Sequence, residues 1–182
     1  MLPFNSMKWS AAAILASVAL QASAANVGPC TQFKWDASAE VAAMKQSPQV
    51  ITAAIKPGDG VPEVRLGALY TLKLADQATV KFVTSPAKSR TADGATAGLV
   101  RFRVAREGHY RVSITSSHWV DIVDRGELLT SLDFQGHVGC ERPRKIVEYE
   151  LPAGRELTLQ LSGSKDAAVT IAITAVSPGT AG

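Results

Sequence analysis

The chain holds two cysteines, Cys30 and Cys140, in 182 residues, with no Cys-x-x-Cys and no second cysteine near either one. That disfavours a thiol-based metal or redox site. Its three histidines, His109, His118 and His137, show neither His-x-His nor His-Glu-x-x-His spacing, and no Gly-x-Ser-x-Gly elbow is present. The commonest zinc-hydrolase and serine-hydrolase signatures are therefore missing. Charge is nearly balanced: 19 Lys and Arg stand against 16 Asp and Glu, a net of +3. Nucleic acid is not an expected partner, since its recognition needs a basic stripe. No internal repeat is evident, and after residue 24 no apolar run is long enough to cross a membrane.

What is present begins with an export signal. Lys8 precedes an apolar run from Trp9 through Leu20, and Ala22, Ser23 and Ala24 supply the small residues a signal peptidase requires. The run is about a dozen residues, where a spanning helix needs roughly twenty. Residues 1–24 therefore read as a signal peptide, residues 25–176 as one domain and residues 177–182 as a loose tail, with the mature protein periplasmic or secreted. Met7-Lys8-Trp9 would also begin a well-formed signal, which leaves Met1 or Met7 as the start. Pro29 before Cys30 is not the small residue that lipoprotein processing needs. In an oxidising compartment an even pair of cysteines reads first as a Cys30–Cys140 disulfide.

After Asp36, an N-cap residue, residues 37–45 are good helix formers, ended by Pro48; Trp35, Val41, Ala42 and Met44 would form the apolar stripe. Residues 56–62 are loop chemistry. Beyond Pro62 the period becomes two. A strand is expected over residues 64–74, followed by shorter ones at 79–83, 99–105, 109–115, 119–123, 127–132, 145–151, 156–161 and 168–175. Their connections are rich in Gly, Asp, Ser and Pro, and none after Pro62 looks helical. The fold class expected is mainly β, an antiparallel β-sandwich or jelly roll with one short N-terminal helix.

Two longer connections stand out, residues 85–96 and 134–144. The second gathers His137, Gly136, Gly139, Cys140, Arg142 and Arg144 just before Lys145. His137, Arg142, Arg144 and Lys145 are candidate ligand-binding residues for a carboxylate, sulfate or phosphate, because glycines admit close backbone approach and cations grip anions. The competing reading is a loop pinned by the disulfide, its cations solvated or paired with Glu141, Glu148 or Asp133. A metal set would draw on His118, His137 and Asp121. Arg101, Arg103 and Arg111 are expected in a row on the exposed face of two neighbouring strands, while Val100, Phe102, Val104, Tyr110, Val112 and Ile114 point inward. Ser116 and His118 point the same way along an extended segment, without forming a catalytic base pair. Trp35, Trp119 and Phe134 read as core aromatics. No catalytic residue and no cofactor is assigned. The expected partner is a small anionic ligand or an envelope protein.

The stretches Gly108-His109-Tyr110-Arg111-Val112-Ser113, His118-Trp119-Val120-Asp121-Ile122-Val123, Phe134-Gln135-Gly136-His137, the run from Gly139 to Lys145 and Leu151-Pro152-Ala153-Gly154-Arg155 resemble a family of short exported bacterial proteins. With Cys30 and Phe33-Lys34-Trp35-Asp36, the resemblance spans nearly the whole mature chain. Members are generally uncharacterised, and some carry a homogentisate 1,2-dioxygenase label. That dioxygenase is a much longer cytosolic cupin holding iron with two histidines and a glutamate, a length and a ligand motif this chain does not share. The short alternating strands are also similar to small β-sandwich modules at the ends of secreted bacterial peptidases, a likeness of fold that implies no function.

Overall fold

A computed structural model of the protein describes Cys30, residues 32–88 and residues 93–177. The signal peptide and all of the expected tail beyond Ser177 lie outside the described residues.

Eleven strands and one helix are described: α1 (Ser38–Ala43), β1 (Gln49–Thr52), β2 (Leu69–Lys73), β3 (Ala75–Asp76), β4 (Thr96–Arg103), β5 (Gly108–Ile114), β6 (Trp119–Asp124), β7 (Glu127–Leu128), β8 (Ser131–Gly136), β9 (Lys145–Leu151), β10 (Glu156–Ser164) and β11 (Ala168–Ala175). They form a six-stranded sheet ordered β1-β2-β11-β5-β9-β8 and a five-stranded sheet ordered β3-β4-β10-β6-β7. All named pairings are antiparallel except β1 with β2. The fold is a mainly-β sandwich.

Alternation explains the core. Val100, Phe102, Val120, Ile122, Leu157, Leu159 and Leu161 of the smaller sheet meet Tyr70, Leu72, Val112, Ile114, Val147, Tyr149 and Ile171 of the larger one in a single buried cluster. The outer face of the larger sheet is also covered. Ala43 and Met44 of α1 pack on Leu69 and Ala172, while Phe33 and Ala37 pack on Cys140 and Ile146 beside the disulfide. Cys30 and Cys140 are bridged with Cα atoms 4.9 Å apart.

Several boundaries differ from the sequence reading for identifiable reasons. The strand expected over residues 64–74 begins only at Leu69, because Gly67 turns the chain at φ +72 and donates its N–H to Ile173. Residues 77–79 form a 3-10 turn capped by Asp76 rather than opening a strand at Thr79. Val83 then donates its N–H to the Gln160 side chain, and Gln160 donates to the Thr84 carbonyl, so this segment is held by a glutamine. The four-residue β1, too short to show a period, is the parallel edge strand. Residues 127–132 divide between β7 and β8, and β8 runs on to Gly136, so the expected loop from Phe134 opens at His137. In α1 the buried stripe is Ala37, Glu40, Ala43 and Met44, while Ala42 is exposed. Asp36 stands one residue before the N-cap, which is Ala37 and has no side-chain cap; the Asp36 carboxylate instead accepts from the Ser38 N–H two residues on, which holds its pKa below the ordinary value.

Candidate functional site

Three connections converge at one end of the sandwich: residues 115–118 between β5 and β6, residues 137–144 between β8 and β9, and residues 165–167 between β10 and β11. Backbone bonds lace them together. Arg144 donates its N–H to the Ile114 carbonyl, Thr115 donates to Thr170, and the Thr170 N–H donates to the Thr115 hydroxyl.

Polar groups form a network there, of which Ser116, His118 and Ser164 are buried. Thr96 Oγ1 lies 2.7 Å from the Asp166 carbonyl, to which it donates, and 3.0 Å from His118 Nε2. With its proton directed to that carbonyl, Thr96 accepts from Nε2–H, which leaves Nδ1 to accept from Ser116 Oγ at 2.7 Å. Ser117 donates to Ser164 Oγ at 3.1 Å, and Ser164 donates to Asp166 Oδ2 at 2.7 Å. Burial lowers the His118 pKa to about 4, with Lys145 adding to the effect and Asp166 opposing it. The imidazole is neutral at pH 7. The serine–histidine contact discounted from sequence does form, yet Ser116 is 3% exposed and His118 fully buried.

Above this network lie two concavities that share Ser116, Ser117 and Arg144. The larger, about 490 Å³, adds Gly163, Ser164, Lys165 and Asp166 to its walls. The smaller, about 240 Å³, adds Gly136, His137, Val138 and Lys145. Arg144 is half-buried in both, and no carboxylate among the described residues lies within ion-pair reach of its guanidinium.

The four loop candidates separate. Arg144, Lys145 and His137 come together in the smaller concavity, whereas Arg142 is exposed and lines neither. The Lys145 ammonium donates to the carbonyls of His118 and Ser117 and lies 5.9 Å from the Trp119 ring, so it is held by the protein. The His137 ring packs on Phe33 at 5.9 Å, and Nδ1 accepts from the Gly139 N–H at 3.2 Å. Two of the three acids that sequence offered as partners are engaged elsewhere, Asp133 with Lys34 and Glu148 with Arg111 and His109, while Glu141 is exposed in the loop.

His118, His137 and Asp121 are not assembled as a metal set; among the described residues no three His, Cys, Asp or Glu converge as one. Both ring nitrogens of His118 carry hydrogen bonds within the protein. Asp121 accepts from Trp119 Nε1 at 2.8 Å and from the Ala87 N–H at 3.2 Å, and burial pushes its pKa up.

The expected arginine row is corrected. Arg101 and Arg103 lie on β4 and share Glu156, but Arg111 lies on β5 in the other sheet and is 8% exposed beneath the N-terminal segment. It pairs with Glu148 at 2.8 Å and Glu40 at 3.6 Å, donates to the Asp36 carbonyl, and stacks 4.8 Å from the Trp35 ring. Phe134, expected in the core, is 61% exposed on the edge strand β8. Sequence reasoning missed Ser164 and Asp166, because Ser-Gly-Ser-Lys-Asp has the composition of any turn, and Thr96, because the first residue of a strand carries no local sign of a distant partner.

No protein-family model matches the chain, and no curated protein does. Among solved structures, it is similar to the β-glucosidase of Kluyveromyces marxianus in complex with glucose, at 10% identity and a TM-score of 0.32, over 46% of this chain and 10% of that one. It is also similar to the pre-peptidase C-terminal domain of a Bacillus anthracis collagenase, at 9% identity and a TM-score of 0.32, over 64% of this chain and 97% of that one. The chain thus spans about a tenth of the β-glucosidase. Neither likeness bears on activity.

Proposed function

We propose that this protein is an exported, non-catalytic β-sandwich that binds a small anionic ligand between residues 115–117, 144–145 and 163–166. The observation that carries the reading is Arg144, half-buried between two concavities with no carboxylate in ion-pair reach among the described residues. An arginine held in that way offers a fixed fork of donors to a phosphate, sulfate or carboxylate. Ser116, Ser117 and Ser164 line the same concavity, their hydroxyls already bonded within the protein, and Lys165 adds a second cation beside the single carboxylate of Asp166. The non-catalytic reading is supported by the burial of the Ser116–His118 pair, whose atoms serve the fold. Export is supported by the leader and is compatible with the disulfide.

Amide shift mapping during titration with inorganic phosphate or sulfate tests the site. Shifts are expected at residues 115–117, 144 and 163–166, abolished by Arg144→Gln and kept in Arg142→Gln. An unresponsive spectrum, or an unchanged response in Arg144→Gln, overturns the reading. Export is checked by N-terminal sequencing of the protein from a periplasmic fraction, which should begin after Ala24.

A further inference from the structure

We infer that the β8–β9 loop is a docking tip for an anionic lipid surface, with a lipid phosphate seated at Arg144 while Val138 and Phe134 enter the headgroup region. It rests on the reading of Arg144 as an anion seat. Among the described residues five large apolar side chains are exposed, and three of them, Leu132, Phe134 and Val138, fall within seven residues at 49%, 61% and 84%. Leu132 and Phe134 are both exposed on the edge strand β8, whose pairing with β9 shifts register between Ser131 and Asp133, and Val138 follows at the loop. Scattered exposed apolar residues are ordinary, but a cluster of them beside cations has the composition of an interfacial anchor.

The cations are in the same loop. Residues 136–145 carry Arg142, Arg144 and Lys145 against one carboxylate, Glu141. Val138 and Arg144 line one concavity, which puts an apolar side chain and an anion-binding fork side by side. The nearby Asp133 is neutralised by Lys34. Such juxtaposition matches a surface whose anionic headgroups overlie hydrocarbon.

The loop is also braced against the body, with Val138 left 84% exposed. The disulfide ties Cys140 to Cys30, His137 donates its N–H to the Arg144 carbonyl at 2.8 Å, and Cys140 donates to the His137 carbonyl at 3.2 Å. Val138 is therefore presented to solvent by a braced turn.

A protein partner fits less well. Strand addition along β8 is opposed by the Asp133 carboxylate, which accepts the Phe134 N–H at 2.8 Å, and by the segment at Gln32 and Lys34 bonded to Gln135. Three apolar side chains are also a small area beside the roughly 800 Å² per partner of a standard protein interface.

The test is co-sedimentation of the purified protein with phosphatidylcholine vesicles, with and without phosphatidylglycerol. Binding is expected only to the anionic vesicles, weakening with added salt. Val138→Asp and Phe134→Asp should each reduce partition about tenfold, while leaving the phosphate-induced shifts at Arg144 in place. Val50→Asp, at an exposed apolar residue on the far edge β1, should bind as the wild type does. Absence of vesicle binding, equal binding to both vesicles, or unaltered binding by Val138→Asp overturns the inference. So does a patch that only mediates self-association, seen as a Val138-dependent dimer in sedimentation velocity without vesicle binding. A silent phosphate titration alongside Val138-dependent vesicle binding overturns the Arg144 seat alone, which separates the two readings.

Discussion

Arg111→Ala probes whether the N-terminal segment is clamped to the sandwich by a buried charge cluster. Glu40 is 1% exposed; Oε1 accepts from Thr174 at 2.8 Å, but Oε2 has no hydrogen bond and faces only the Arg111 guanidinium at 3.6 Å. Glu148, largely buried, receives Arg111 Nε at 2.8 Å. Deleting the arginine strands the buried Glu40 carboxylate, leaves Glu148 with His109 alone and removes a cation from the Trp35 face, and breaking a buried pair from one side costs about 3 to 5 kcal/mol. With a urea slope of about 2 kcal/mol per molar, the unfolding midpoint should fall by roughly 2 M. A solvated surface arginine would cost about 0.5 kcal/mol or less. Arg111→Lys, which keeps the charge but loses the fork, is the milder variant if alanine prevents folding. The triple variant Arg111→Met, Glu40→Gln, Glu148→Gln should recover much of the loss, since no orphaned charge then remains. A midpoint within 0.3 M of wild type for Arg111→Ala, on the order of the surface value, would refute the clamp.

Three further outcomes follow from the same structure. Replacing Cys30 and Cys140 by serine frees a closure with a sequence separation of 110 residues and should cost on the order of 4 to 5 kcal/mol in denaturant titration, with reductant reproducing the loss in the wild type. Gly98→Ala should destabilise by about 1 to 3 kcal/mol, because a Cβ there would stand 2.5 Å from Ala53 Cβ and 2.9 Å from Leu74 Cδ2; Ala53→Gly added to it should restore part of the loss. His118 takes a proton near 6.5 when unfolded but only near 4 when folded, so the unfolded state binds more protons between those values and stability falls as pH drops through them, by up to about 3 kcal/mol. Asp121, with its pKa raised, titrates with the opposite sign, so the difference between wild type and His118→Gln across pH 7 to 4 isolates the histidine.

Much of the β framework was legible because alternation is a local property. Residues 99–103, 109–114, 145–151 and 168–175 show it plainly, and each lies within a strand. The disulfide was legible from the cysteine count. What local pattern cannot supply is the identity of whatever covers an outward face. Strand alternation correctly directs Arg111 away from the core, but α1 and the chain before it then lie across that face and bury it. Likewise Glu40 reads as an acid suited to the first turn of a helix, and only tertiary placement makes it the buried partner of Arg111. Phe134 fails in the opposite direction: read as a core aromatic at the start of a connection, it lies on an edge strand with its side chain exposed.

The loop of the candidate site shows the same division at finer grain. Composition singled it out, because glycines, a cysteine and clustered cations are rarely so close together. Composition could not rank the cations, and the fold gives each a different task. Lys145 is the first residue of β9, where its ammonium reaches back to the carbonyls left by the 115–118 turn. Arg142 lies out in the loop. Arg144, between them, gives its backbone to Ile114 and His137 and leaves its side chain at the junction of both concavities. With its backbone fixed on both sides, Arg144 has only its side chain left to order when an anion arrives, which is how rigid strands make a loop residue useful. Binding at this end is thus expected to depend on Arg144 far more than on its neighbours, although all three carry the same charge.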